Sequence, residues 1–105
     1  MNYGISQKSF NMIMETLKLY KEIEKVVIFG SRAMGNYKNG SDIDLAVFGK
    51  EVTDEIINRL SIRLNEELPI PYYFDILHYE TLSNEELKEH IETLGKIFYK
   101  RDEIL

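Results

Sequence analysis

Cysteine is absent, which excludes disulfide frameworks and cysteine-ligated zinc. Histidine is scarce: His78 and His90 are too few to close a zinc site alone. Proline is confined to Pro69 and Pro71, which mark one break near the middle of the chain and no proline-rich linker. No uninterrupted apolar run exceeds the four residues of Val26–Phe29, far short of a membrane span. The opening residues, MNYGISQKSF, lack a basic stretch followed by an apolar one, so no signal peptide is expected. Positive charge is in deficit, with 13 Lys and Arg against 18 Asp and Glu and a net charge of −5. Bulk attraction for phosphate backbones is missing, and so is a polybasic patch for a membrane surface. The expectation is a cytoplasmic protein that takes neither nucleic acid nor membrane as its partner.

What is present suits a folded domain. The 105 residues, 44% hydrophobic and 30% charged, fit one domain spanning 1–105. A chain this long buries roughly two-thirds of its unfolded surface.

Phe10, Ile13, Met14, Leu17 and Tyr20 make an apolar helical stripe. That helix is predicted to start at an Ser6 cap and end around Glu22 to Glu24. Val26–Phe29 reads as a short strand buried on both faces. Residues 30–41, GSRAMGNYKNGS, form a loop with a helical turn near Arg32 to Met34 and a tight turn at Asn39-Gly40. In the strand from Asp42 to Phe48, Ile43, Leu45 and Val47 share one face. Asp42, Asp44, Ala46 and Phe48 take the other. A second helix is predicted from Thr53 to Glu67, ended by the prolines. Tyr72–His78 reads as a third strand. Ser83 and Glu86 suggest a capping box, followed by a closing helix with Leu87, Ile91, Leu94 and Phe98 on one stripe. The predicted fold class is α/β or α+β, one sheet flanked by helices.

Asp42, Asp44 and Asp75 fall where acids are costly. Asp42 and Asp44 share a strand face with Cα atoms roughly 6.6 Å apart. Two such charges repel by about 2.5 kcal/mol at an effective dielectric of 20. If the third strand lies beside the second, Asp75 joins them at one end of the sheet. A divalent cation would turn this repulsion into attraction, and hard oxygen ligands suit Mg2+. Gly30-Ser31 directly follows a buried strand, where a sharp turn can present main-chain N–H groups to a phosphate. The Ser31 hydroxyl adds a donor, and Arg32 and Lys38 could offset phosphate charge. His78 faces away from Asp75 by strand parity and reads as structural. His90 reads as surface or packing, while Tyr72 and Tyr73 lie close enough to Asp75 to be considered for base stacking.

The stretch VVIFGSRAMGNYKNGSDIDLAVFG resembles the signature of the nucleotidyltransferase superfamily related to DNA polymerase beta. Its spacing of Gly-Ser, ten residues and Asp-x-Asp is similar to that of the minimal nucleotidyltransferase (MNT) branch. The resemblance runs from the leading helix through YYFDIL to ELKEHIETLGKIFYKR. It implies a small fold with a mixed sheet of three to four strands flanked by helices. It implies that Gly30, Ser31 and Arg32 hold the nucleotide, that Asp42, Asp44 and Asp75 bind metal, and that these three acids are the catalytic set. Two Mg2+ ions and ATP as donor are implied with them. One departure is Met34, where the family often has a basic residue.

Branches that use nucleic-acid or antibiotic acceptors carry further domains. The MNT branch is often paired with a helical HEPN-domain toxin. The resemblance therefore implies an antitoxin that transfers AMP from ATP to a tyrosine hydroxyl of that toxin. The alternative is an antitoxin that neutralises its partner by docking alone. Assembly as a homodimer or a hetero-oligomer stays open, with Ile104-Leu105 an apolar tail available to an interface.

Overall fold

The computed structural model describes residues 3–102, and its layering follows from the alternation in one strand. The elements are α1 Gln7–Lys18, β1 Lys25–Phe29, α2 Ser31–Met34, β2 Ile43–Phe48, α3 Asp54–Ile62, β3 Phe74–His78, α4 Glu85–Leu94 and β4 Lys96–Lys100. A π-helical turn, Arg63–Glu67, extends α3, and a 3-10 turn, Tyr79–Thr81, follows β3. The sheet order is β3-β2-β1-β4. β1 is antiparallel to β2 and β4, while β2 and β3 are parallel and joined across α3. Ile104 and Leu105 lie outside the described residues.

Ile43, Leu45 and Val47 are wholly buried, in register with Val26 and Ile28 of β1 and with Phe74 and Ile76 of β3. This face packs against Ile13 and Leu17 of α1, Leu60 of α3 and Leu64 of the π-helical turn. The opposite face carries Val27, Phe29 and Ala46 beneath Ile91, with Leu87 and Leu77 alongside. Helices thus cover both faces, and α4 is the lid on the side that Asp44 shares.

Several boundaries depart from the sequence reading. α1 is capped by Ser6, whose Oγ accepts from the Ser9 N–H at 3.2 Å. It stops at Lys18, four to six residues early, because the chain breaks into turns in which Tyr20 N–H donates to Leu17 O and Ile23 N–H to Tyr20 O. α4 is capped by Asn84, one residue beyond Ser83: its Oδ1 accepts from the Leu87 N–H at 3.1 Å.

The larger correction is β4, which replaces the last turns of the expected closing helix. A Cβ at Gly95 would sit 2.4 Å from both the Ile91 carbonyl oxygen and Val27 Cγ1, so the chain can turn off α4 only through glycine there. The four-residue step from Leu94 to Phe98 spans that break and carries no helical meaning. Phe98 instead crosses to the α1 side, where its ring meets Phe10 edge-on at 5.4 Å. Leu94 is left 47% exposed.

This arrangement separates two side chains that a continuous helix would bury together. Phe98→Ala is expected to cost about 3–5 kcal/mol and Leu94→Ala under about 1 kcal/mol in urea unfolding. Equal losses would contradict the strand.

Candidate active site

Phe29 ends β1, Asp44 lies opposite it at the start of β2, and Asp75 lies in register with Asp44 at the start of β3. Neighbouring strands run roughly 4.8 Å apart, so Asp44 and Asp75 stand side by side on the α4 face. Asp42, two residues earlier on the same strand side, is exposed, as is Asp75, while Asp44 is half-buried.

The turn after β1 is built around that carboxylate. Gly30 adopts φ +75° and ψ −155°, a conformation reserved for glycine. A Cβ there would lie 2.5 Å from Asp44 Oδ2. The missing side chain therefore leaves a hollow in which the carboxylate approaches the backbone. Ser31 opens the four-residue α2, which closes through bonds from Met34 N–H to Gly30 O and from Gly35 N–H to Ser31 O. Ser31 is half-buried at the same corner.

Electrostatics mark Asp44 as the strained member. Its pKa is pushed up to about 6 by burial first, then by the charges of Asp75 and Asp42, with His90 pulling the other way. Among the described residues, no three acid or histidine side chains converge tightly enough to cage a metal by themselves. The arrangement is an open carboxylate pair with a third acid at its rim. Its hard oxygen donors fit a Mg2+ ion that completes its shell with water and phosphate oxygens.

Two residues missed by the sequence reading shape this end of the sheet. His90 of α4, read as surface or packing, stands edge-on to Phe29 at 6.1 Å and acts on Asp44. Asn65, in the π-helical turn, clamps the residue before Asp75: its Oδ1 accepts from Phe74 N–H at 2.7 Å and its Nδ2 donates to Phe74 O at 3.1 Å. Neither has a sequence signal beyond a polar residue on a helix.

Arg32 departs from its expected role as a nucleotide ligand. It is 3% exposed, and its guanidinium donates to Ser41 O and Tyr3 O. Tyr72 stacks on that guanidinium at 5.0 Å and so is not free to hold a base. Tyr73 is 60% exposed. His78 lies on the other sheet face, with Nδ1 3.2 Å from Asp54 Oδ1. A cleft of about 350 Å3, lined by Lys25, Phe48, Glu80 and Lys100 among others, lies at the far end of the sheet from the acids.

The structure is thus a sheet flanked by helices, with a glycine–serine corner facing paired acids. Residues 11–104 match the family model "Polymerase beta, Nucleotidyltransferase", and the chain belongs to that family. No curated relative matches it. Among solved structures, it is similar to a chain of a toxin–antitoxin complex with AMP-PNP, at 22% identity and a TM-score of 0.71, covering 88% of this chain and 73% of that one. A second is the tri-AMPylated Shewanella oneidensis HEPN toxin in complex with MNT antitoxin, at 21% identity and a TM-score of 0.66, covering 90% and 72%. A third is a putative nucleotidyltransferase from Sulfolobus solfataricus, at 25% identity and a TM-score of 0.55, covering 89% and 78%. No helix among the described residues is long and apolar enough to cross a membrane.

The raised pKa of Asp44 has a definite sign. The folded state holds its proton more tightly than the unfolded chain, whose carboxylate titrates near 3.8. The stabilisation is complete below that value and is lost as pH rises through about 6. Asp44→Asn, uncharged throughout, is expected to match the wild type in Tm near pH ~4 and exceed it above pH ~7 in low salt. A difference in Tm that does not change with pH would contradict the assignment.

Proposed function

We propose that the chain, acting in the cytoplasm as one nucleotidyltransferase domain, transfers AMP from ATP to a tyrosine hydroxyl of a HEPN-type toxin and so serves as its antitoxin. The observation that carries this reading is the Asp44–Asp75 pair held on one sheet face against the Gly30 hollow. The nucleotide-bound and AMPylated complexes among its structural relatives support the choice of donor and partner.

Gly30 and Ser31 receive the triphosphate at the corner. Asp42, Asp44 and Asp75 would hold Mg2+, which supplies charge neutralisation for the triphosphate and the departing pyrophosphate. Asp75, exposed on an edge strand, is placed to accept the proton of an incoming hydroxyl. The acceptor oxygen bonds to the α-phosphorus, the bond from that phosphorus to the bridging oxygen breaks, and pyrophosphate leaves. Most of the acceleration comes from holding the reactants in line and from the fixed charges around them. The acids stand at an open sheet end, which suits an acceptor carried on another protein.

Incubation with the purified toxin, Mg2+ and ATP labelled at the α-phosphate tests the reading. Label is expected on the toxin, reduced at least about 100-fold by Asp44→Asn and abolished by chelation. No transfer from the folded wild type would contradict it. A doubly substituted Asp42→Asn, Asp44→Asn chain that still neutralises the toxin fully would show that docking suffices.

A further inference from the structure

Arg32 is the most deeply buried charged residue around the motif loop, and among the described residues it has no carboxylate partner. Taking a guanidinium out of water without an opposing charge is unfavourable, so its burial here points to a local task. Its contacts show where that task lies. Nε and Nη2 both donate to the Ser41 carbonyl oxygen, at 3.0 and 2.8 Å, across nine residues of loop. Nη1 donates to Tyr3 O at 3.0 Å. Two tyrosines lie against the guanidinium, with Tyr37 at 4.9 Å and Tyr72 at 5.0 Å. Tyr72 Oη in turn donates to Gly4 O.

Two of the three guanidinium bonds converge on one peptide. The Ser41 carbonyl belongs to the Ser41–Asp42 unit, so two donors on that oxygen set the plane from which Asp42 projects. The turn before it is closed from both directions, with Ser41 N–H donating to Lys38 O and Lys38 N–H donating to Ser41 Oγ. Asp42 itself is exposed and precedes the first residue of β2, so the ladder leaves its orientation less constrained than that of Asp44.

We propose that Arg32 is a positioning residue: it fixes the Ser41–Asp42 peptide, and through it the Asp42 carboxylate, for a divalent cation. The inference rests on the reading of Asp42 as a cation ligand. The task needs a planar fork that places two N–H groups on one oxygen while aromatic rings lie against it. A lysine ammonium lacks that planar fork.

The test is a double-mutant cycle on cation affinity, read by calorimetry with Mn2+ alone and the full chain: wild type, Arg32→Lys, Asp42→Asn and the double variant. Arg32→Lys is expected to weaken binding by about tenfold, in the range for groups that orient metal ligands. In the Asp42→Asn background the same change is expected to cost less than about twofold, because the ligand it orients is gone. General loosening of the fold would instead cost the same factor in both backgrounds, and that result would overturn the proposal. Should Arg32→Lys fail to fold, Tyr37→Ala, which uncovers the guanidinium on one side, takes its place with an expected loss of about threefold and the same loss of effect without Asp42. Wild-type binding that depends on Asp42 but is unchanged by either substitution would overturn the proposal alone. Wild-type binding that does not depend on Asp42 would overturn the underlying reading and the proposal with it.

Discussion

Two carboxylates in register on adjacent parallel strands repel each other, and the fold keeps them there. Asp44 and Asp75 occupy matching positions of β2 and β3, and Asp44 is half-buried as well. Burial and like charge together raise its pKa to about 6. A carboxylate so placed weakens the folded state near neutral pH unless a cation meets it. Local rules broken in this way are expected where function is at stake.

The surroundings accommodate the acids and relieve them only in part, through His90. Gly30 omits the side chain that would collide with Asp44, and the strained backbone it adopts leads straight into Ser31. Asn65 fixes the backbone before Asp75, and Arg32 fixes the carbonyl before Asp42. Asp75 and Asp42 are thus each held through the main chain of the residue before them. No buried side-chain nitrogen or oxygen among the described residues lacks a partner. The unresolved cost is therefore electrostatic and falls on the carboxylates.

Much of this was legible in the sequence, for specific reasons. The alternation of Ile43, Leu45 and Val47 with Asp44 identified a two-faced strand, because a side-chain period of two leaves little choice of face. Asp75 stood out as an acid within an apolar run, and parity placed it opposite His78. β4 was hidden by Leu94 and Phe98, whose spacing mimics a helix across Gly95. The break falls at Gly95, where an added Cβ would meet Val27 Cγ1, a neighbour far away in sequence. The destination of Arg32 was equally hidden: a basic residue beside Gly-Ser suggests phosphate, yet its acceptors lie 9 and 29 residues away. Asn65 gave no signal because the backbone it clamps belongs to the next strand. Residue type and spacing located the acids and the glycine–serine corner, whereas the contacts that orient them depend on the fold.

The most direct measurement is a carboxyl-carbon NMR titration of Asp44 with and without Mg2+. Without the ion, a midpoint near 6 is expected. With saturating Mg2+ it should fall by more than about one unit, because the bound cation reverses the local electrostatics. A midpoint near 6 that Mg2+ leaves unmoved would contradict the claim that the paired acids exist to hold a cation.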